Sequence, residues 1–312
     1  MALRTSPELL ATARSIEEIK QVAQAGADAV IVGESRFGVR LSGEITADEL
    51  GDAIAAAREH GIRIYVAVNH VFANDQLPEL KEYIQLLKQL RPDALVFGDP
   101  AVLMICRDLG YEPVFHWNPE MTSTNYATAQ YWGARGAKRV VLARELNLEE
   151  ITEVTEHAGM EVQVQVHGMT TLYHSGRNLI QSYMHYQGTE ASDEIQGKEH
   201  GFYLVEQERK DLRFPIYEDR DGTHIMSAED ICLLEVLDEL LTAPIHSLKM
   251  EGLLMSTEAH AAAVRSYREA LDAWTSDPDN YEPNPVWLER IQHYQDPHRE
   301  LTYGFLFKEQ VY

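Results

Sequence analysis

Along the chain an amphipathic run, a Gly or Pro, and a short unbroken apolar run recur in that order. Apolar runs that do not alternate with polar residues are the pattern of strands covered on both faces. Eight of them predict strands over Glu8–Ala13, Asp28–Gly33, Arg63–Asn69, Ala94–Asp99, Pro113–Trp117, Arg139–Ala143, Glu161–His167 and Ser247–Glu251. Helical patterns lie between most of them. Ser15, Ile16, Glu17 and Glu18 form a capping box that opens the first helix, and Gly26 stops it. Thr46 to Glu49 opens a second that ends near Gly61, and further helices are predicted over Leu77–Leu90, Pro100–Leu109, Thr124–Trp132 and Leu148–His157. Alternation carried through eight strands predicts an α/β chain of the (β/α)8, TIM-barrel-like class. A doubly wound open sheet is the alternative, but no Gly-rich phosphate loop follows the first strand.

The spacing breaks between the seventh and eighth strands, which lie about 80 residues apart. This predicts an insertion over about 169–227 on the C-terminal face of the barrel, where active sites sit. Within it, Phe202–Glu206 and Leu212–Tyr217 alternate like the arms of a hairpin, and Asp221–Gly222 reads as a second turn. A helix is predicted over Ala228–Leu241. The barrel domain is expected to span 1–275. A C-terminal wrap over 276–312, rich in Pro, Asp and aromatics, is expected to hold one short helix near Val286–Tyr294.

Charge narrows the function classes. Twenty-seven Lys and Arg against 50 Asp and Glu give −23, which argues against a broad nonspecific nucleic-acid groove while leaving room for a small basic site. Two cysteines, Cys106 and Cys232, exclude a disulfide framework and a self-contained four-cysteine metal site. The first residues lack the apolar core of a signal peptide, and no apolar run exceeds strand length, so a cytoplasmic protein with no membrane span is expected.

Candidate chemistry lies at the strand ends: Glu34 and Arg36, Asn69 and His70, Asp99, His116 and Asn118, Arg144 and Glu145, His167, and Lys249 and Glu251. Such a ring makes a polar mouth able to hold a small oxygenated or anionic ligand, with Arg36, Arg144 and Lys249 as cations. Lys249 and Glu251, two apart on one strand, share a face; they either orient a substrate or close the barrel as a structural ion pair. Cys106 falls on the buried side of its helix. No HExxH, no GxSxG elbow and no activated cysteine is present, and the spacing of His116, His167 and His174 does not specify a metal site.

The run VHGMTTLYHSGRN at Val166–Asn178 resembles the signature region of peptidase family U32, the collagenase-like protease family. Gly26–Val30, Val140–Leu146, Ser227–Leu234 and Ser247–Gly252 agree with it, so the resemblance spans residues 7 to about 272. It implies the same barrel. It also implies one of two activities: the proteolysis for which the family was named, without an assigned catalytic type, or the oxygen-independent hydroxylation of tRNA uridine, ribosomal RNA cytidine or ubiquinone precursors. Members of the second kind hold an iron–sulfur cluster on four cysteines. This chain has Thr171 and Asn178 at two of those places, no cysteine in 186–210 for the third, and Cys232 at the fourth. One thiolate does not retain a cluster, so no cofactor and no metal is expected, and Cys232 is expected as a buried helix residue. Gln163 and Gln165 also depart from the family pattern. His167, Gly168, Ser175, Gly176, Arg177, Lys249, Glu251 and Gly252 match it. The resemblance therefore points to His167, Lys249 and Glu251 as catalytic. Arg36, Asn69, His116, Asn118, Arg144, Glu145, Ser175 and Arg177 are expected to bind substrate.

The leading expectation is a cluster-less component of tRNA uridine 5-hydroxylation that works with a cysteine-complete U32 paralogue, with tRNA bound through a shared site. A peptidase and a noncatalytic barrel holding a small carboxylate are the alternatives.

Overall fold

In the computed structural model, which describes residues 6–119, 123–188, 198 and 201–309, the eight apolar runs pair in chain order. β1 (Glu8–Thr12), β2 (Ala29–Gly33), β3 (Arg63–Val68), β4 (Ala94–Phe97), β5 (Phe115–Trp117), β6 (Ala137–Val141) and β7 (Glu161–Gly168) run side by side and parallel. β13 (Ser247–Met250) pairs in parallel with both β7 and β1, which closes the ring. The TIM-barrel-like expectation is met.

Alternation along each strand sorts the residues. Leu10, Ala29, Tyr65, Ala94 and Val96 meet inside the barrel, whereas Leu9, Val30, Ile64, Val66, Phe97, Val162 and Leu248 face outward. The outward set packs against α1 (Ile16–Ala25), α2 (Leu50–Glu59), α3 (Leu77–Leu90), α4 (Pro100–Asp108), α5 (Tyr126–Gly133) and α6 (Leu148–His157). Their starts follow the sequence: Ser15, Asp99, Asn125 and Asn147 each accept a first-turn N–H, a cap worth about 1 kcal/mol. At α2 the Thr46–Glu49 pair acts earlier. The Glu49 carboxylate accepts from the Thr46 N–H and hydroxyl, which makes a turn, and the helix begins at Leu50.

The insertion forms its own antiparallel sheet, ordered β8 (Thr171–Ser175), β11 (Gly222–Met226), β10 (Arg213–Asp219), β9 (Tyr203–Val205), with α7 (Leu179–Tyr186) between β8 and β9 in the chain. The expected hairpin is β9–β10. The expected turn at Asp221–Gly222 joins β10 to β11, and Gly222 takes φ 108° where a Cβ would lie 2.0 Å from the Ser175 carbonyl oxygen.

The helix predicted over Ala228–Leu241 forms only in its last turn. Asp230–Cys232 is instead a strand, β12, which pairs antiparallel with the end of β7, Ile231 opposite Gly168 and Cys232 opposite His167. A single 3-10 turn and α8 (Leu237–Leu240) follow. The cause is long-range. β14 (Leu301–Thr302) from the tail pairs with β12, and Arg299 forks onto the Asp230 carboxylate at 2.6 and 3.1 Å. That leaves Asp230–Cys232 better satisfied as a strand. α9 (Thr257–Ser276) covers β1 and β13 and packs on α1 and α10 (Pro285–Gln292). The short tail helix is therefore present, and the tail also supplies a strand. Among the described residues no helix is long and apolar enough to cross a membrane.

Candidate active site at the barrel mouth

Alternation along β13 sends Ser247, Lys249 and the following Glu251 toward the lumen, while Leu248 and Met250 join the outer core. Lys249 Nζ lies 3.0 Å from Glu251 Oε2, with the two side chains 14% and 7% exposed. Glu251 Oε1 also accepts from Thr12 Oγ1 at 3.3 Å and from the Leu253 N–H at 3.0 Å, and Thr12 Oγ1 in turn accepts from the Gly252 N–H at 2.8 Å. The carboxylate is thus fixed by donors from two strands, and it holds the ammonium at the mouth.

Asn69 and Asn118 close the ends of β3 and β5 and are both buried. Gly98 lies between them, where a Cβ would be 3.0 Å from one backbone carbonyl and 3.1 Å from the other. Asn69 Oδ1 accepts the Val39 N–H at 3.1 Å, which pins the β2–α2 loop across the opening. Phe37 anchors the same loop by stacking on Tyr83 with ring centroids 3.9 Å apart. Beneath the loop is a cavity of about 20 Å³ whose wall includes Thr12, Ile31, Arg40, Asn69, Asn118 and Lys249. Arg40 was missed by sequence reasoning. It reaches this position with a left-handed backbone, φ 57°, which no residue pattern advertises.

Other expected site residues lie elsewhere. Arg36 is on the rim, ion-paired with Glu34 and Glu79, outside the wall of this cavity. His116 points inward but sits deeper, edge-on to Tyr65 with centroids 4.7 Å apart. Burial, then the positive charges of Arg139 and Arg63, push its imidazole down to about 2, so it is neutral. Those arginines belong to a polar network inside the N-terminal end of the barrel that the sequence did not announce. Glu8 accepts from Tyr65 Oη at 2.6 Å, Arg63 Nη2 at 2.6 Å, Ser247 Oγ at 2.9 Å and Arg139, and Arg139 also bonds Glu161 at 2.7 Å.

His167 does not enter the mouth. The register between β7 and β13 slips at Met250, so that Gln165 faces Lys249 and His167 faces Met250. Such a bulge turns both Val166 and His167 outward. The imidazole packs under α9 against Tyr267, centroids 5.7 Å apart, and burial pushes it down to about 4. His174 stacks on His224 in the insertion sheet. The three histidines thus each have a separate ring partner, and among the described residues no group of three His, Cys, Asp or Glu is placed to hold a metal.

Arg144 Nη2 donates to the Thr171 carbonyl at 2.7 Å, tying the end of β6 to β8, and Glu145 follows it, half-buried. Ser175 Oγ accepts the Arg177 N–H at 3.2 Å where β8 turns toward α7, and Arg177 is exposed. A wider cleft of about 670 Å³, the size of ordinary ligand sites, opens between the insertion and the tail. Met169, Phe202, Tyr203, Arg213, Leu254 and Tyr294 are part of its wall.

The residues at the family's cysteine positions do not fit an iron–sulfur cluster. Cys232, on a strand rather than a helix, is buried with its Sγ 3.8 Å from Tyr267 Oη, and burial pushes the thiol up to about 11. Cluster ligation needs the thiolate. Thr171 is buried at the start of β8, and Asn178 precedes α7.

The sequence profile of peptidase family U32 matches residues 14–311. The chain is 46% identical over 307 residues to tRNA hydroxylation protein P2 of Bacillus subtilis (strain 168), covering 98% of this chain and 99% of that protein. Its similarity to tRNA hydroxylation protein P1 of the same organism is 29% identity over 286 residues, covering 91% of this chain and 68% of that protein. A solved U32 peptidase structure superposes with a TM-score of 0.50 at 17% identity, covering 78% of this chain and 92% of the other, which is a likeness of fold.

Proposed function

The chain belongs to peptidase family U32, and on that premise we propose that it is a component of tRNA uridine 5-hydroxylation that works with a cysteine-complete paralogue. The observation that carries the reading is its near full-length likeness to a tRNA hydroxylation protein from an organism that holds a second such paralogue. In this reading the paralogue supplies the iron–sulfur cluster, because the one thiol here at a ligand position is buried and protonated. This chain supplies a polar mouth. Lys249 offers a positive charge to a small carboxylate, and Glu251, held by Thr12 and the Leu253 amide, keeps the ammonium in place. Asn69 and Asn118 offer amides beside it. His167 acts by packing under α9 rather than by proton transfer.

A cysteine peptidase is disfavoured by the same chemistry. Cys106 and Cys232 are buried, with thiols pushed up to about 12 and about 11, so neither is a nucleophile at neutral pH.

The test is mass spectrometry of tRNA nucleosides from a strain lacking this gene, with the paralogue gene intact and any redundant pathway removed. Loss of 5-hydroxyuridine is expected. Unchanged 5-hydroxyuridine overturns the reading.

A further inference from the structure

From Val162 to Gly188 the sequence contains no aspartate or glutamate, 27 residues in a chain with 50 carboxylates among 312. At the average density about four would fall there. The second half of this stretch leaves the barrel as β8, Arg177 and α7.

Among the described residues, α7 presents large side chains that are left exposed. None of its residues is buried. Leu179, Tyr183 and Tyr186 stand at i, i+4 and i+7, one stripe of a helix, and are 38%, 61% and 84% exposed. The backbone of the helix is nevertheless anchored. The Ile180 and Gln181 amides donate to the carboxylate of Glu218 on β10 at 2.6 and 3.3 Å, and the Leu179 amide donates to Thr223 Oγ1 on β11 at 2.9 Å. Glu218 and Thr223 are wholly buried. A firm backbone carrying exposed rings is a display surface, since large apolar groups left together in water mark a place of contact.

Charge and ring chemistry choose the occupant. On a protein of −23 most surfaces repel phosphate. The stretch itself has no carboxylate to do so, Glu218 beneath it is wholly buried against the helix amides, and the exposed Arg177 stands just before the helix. Its large exposed groups are mainly phenols, with Tyr173 of β8 half exposed beside them in sequence. Flat rings with a nearby guanidinium suit unpaired bases, which stack on aromatic faces while a cation meets the backbone.

We propose that α7 and the link from β8 form a docking platform for the unpaired bases of an RNA loop, with Tyr183 and Tyr186 as stacking rings and Arg177 as the phosphate contact. This rests on the tRNA reading above and names the surface by which this chain meets the RNA.

The experiment measures fluorescence anisotropy of a labelled RNA hairpin with a uridine-containing loop, and of a fully paired duplex of the same length, against the full-length protein. Wild type is expected to prefer the hairpin. The Tyr183→Ala, Tyr186→Ala double variant is expected to weaken hairpin binding about tenfold or more while leaving weak duplex binding and the thermal melt unchanged. The corresponding Tyr→Phe double variant keeps the rings and is expected to bind as wild type. Equal hairpin affinity for wild type and the alanine variant overturns the proposal, as does a wild type with no preference for the hairpin. Loss of association with the paralogue at undiminished hairpin affinity also overturns it and makes the stripe a protein interface. The nucleoside measurement fails separately: tyrosine-dependent loop binding by a protein whose deletion leaves 5-hydroxyuridine unchanged removes the tRNA hydroxylation reading and keeps the platform.

Discussion

Glu18 on α1 controls the loop that follows the Lys249–Glu251 pair, although it touches neither residue. Its side chain is 1% exposed. It accepts from the Arg14 N–H at 2.7 Å, Nε at 3.0 Å and Nη2 at 3.1 Å, and it lies 3.5 Å from His260 Nδ1. Arg14 Nη2 in turn donates to the carbonyl oxygens of Gly252 at 3.3 Å and Met255 at 2.5 Å. Burial alone would raise the carboxyl, but the His260 contact and the Arg14 donors outweigh it and hold it at about 2 against the usual 4.5. At about 1.36 kcal/mol per pH unit, that gap is worth roughly 3 kcal/mol. A carboxyl lowered by folding stabilises the fold above its ordinary value, and the benefit is lost as pH falls through the folded value. Glu18→Gln is therefore expected to lose about 3 kcal/mol at pH 7. The difference from wild type should shrink from about pH 5 downward and approach its minimum near pH 2. Urea unfolding followed by tryptophan fluorescence over a pH series measures this. A difference below about 0.5 kcal/mol at pH 7, or one that stays constant down to pH 3, would refute the reasoning.

Three further outcomes follow from the geometry. Lys249→Met and Glu251→Gln should each abolish tRNA hydroxylation in a complemented deletion strain at normal protein abundance; retained 5-hydroxyuridine in either removes the pair from the site. Gly168→Ala places a Cβ 2.1 Å from the Glu251 carbonyl oxygen at φ 91°, so a loss of several kcal/mol is expected in denaturant unfolding, against about 1 kcal/mol for Gly159→Ala, where nothing lies within 4 Å. The Asp221 carboxylate, accepting from His70 Nε2 at 3.1 Å, raises the His70 imidazole, so their ion pair is complete below the ordinary 6.5 and lost as pH rises through the raised value. Amide exchange at the β10–β11 turn should then rise with pH beyond its intrinsic dependence, and His70→Gln should remove that excess.

The barrel strands were legible because burial on both faces leaves unbroken apolar runs, and most helix starts were legible because capping chemistry is local. The same locality explains the failures. Ile231–Leu234 reads as part of a helix until Arg299, about 70 residues on, fixes Asp230 and the tail adds a strand. At the site, Lys249 and Glu251 were placed correctly by the two-residue period of a strand. His167, expected at the mouth as a strand-end polar group and by the family resemblance, faces outward because one extra residue in β7 reverses the face and leaves no mark in composition. Glu8 and Arg139 escaped notice for a related reason: each lies within an apolar run and looks like a strand-end charge, while the partner that pays for its burial is on the far side of the barrel.

The loop pinned by Asn69 has a consequence for affinity. A space of about 20 Å³ beside Lys249 holds roughly one water, so in the function proposed above a carboxylate would enter that space only in molecules whose loop has lifted. Observed binding is then the intrinsic affinity diluted by the open fraction. In such a system Asn69 acts as a latch, through its hold on the Val39 amide. Cutting the latch would raise the open population, so substituting Asn69 has two opposed effects: an easier opening, and one amide fewer for the ligand.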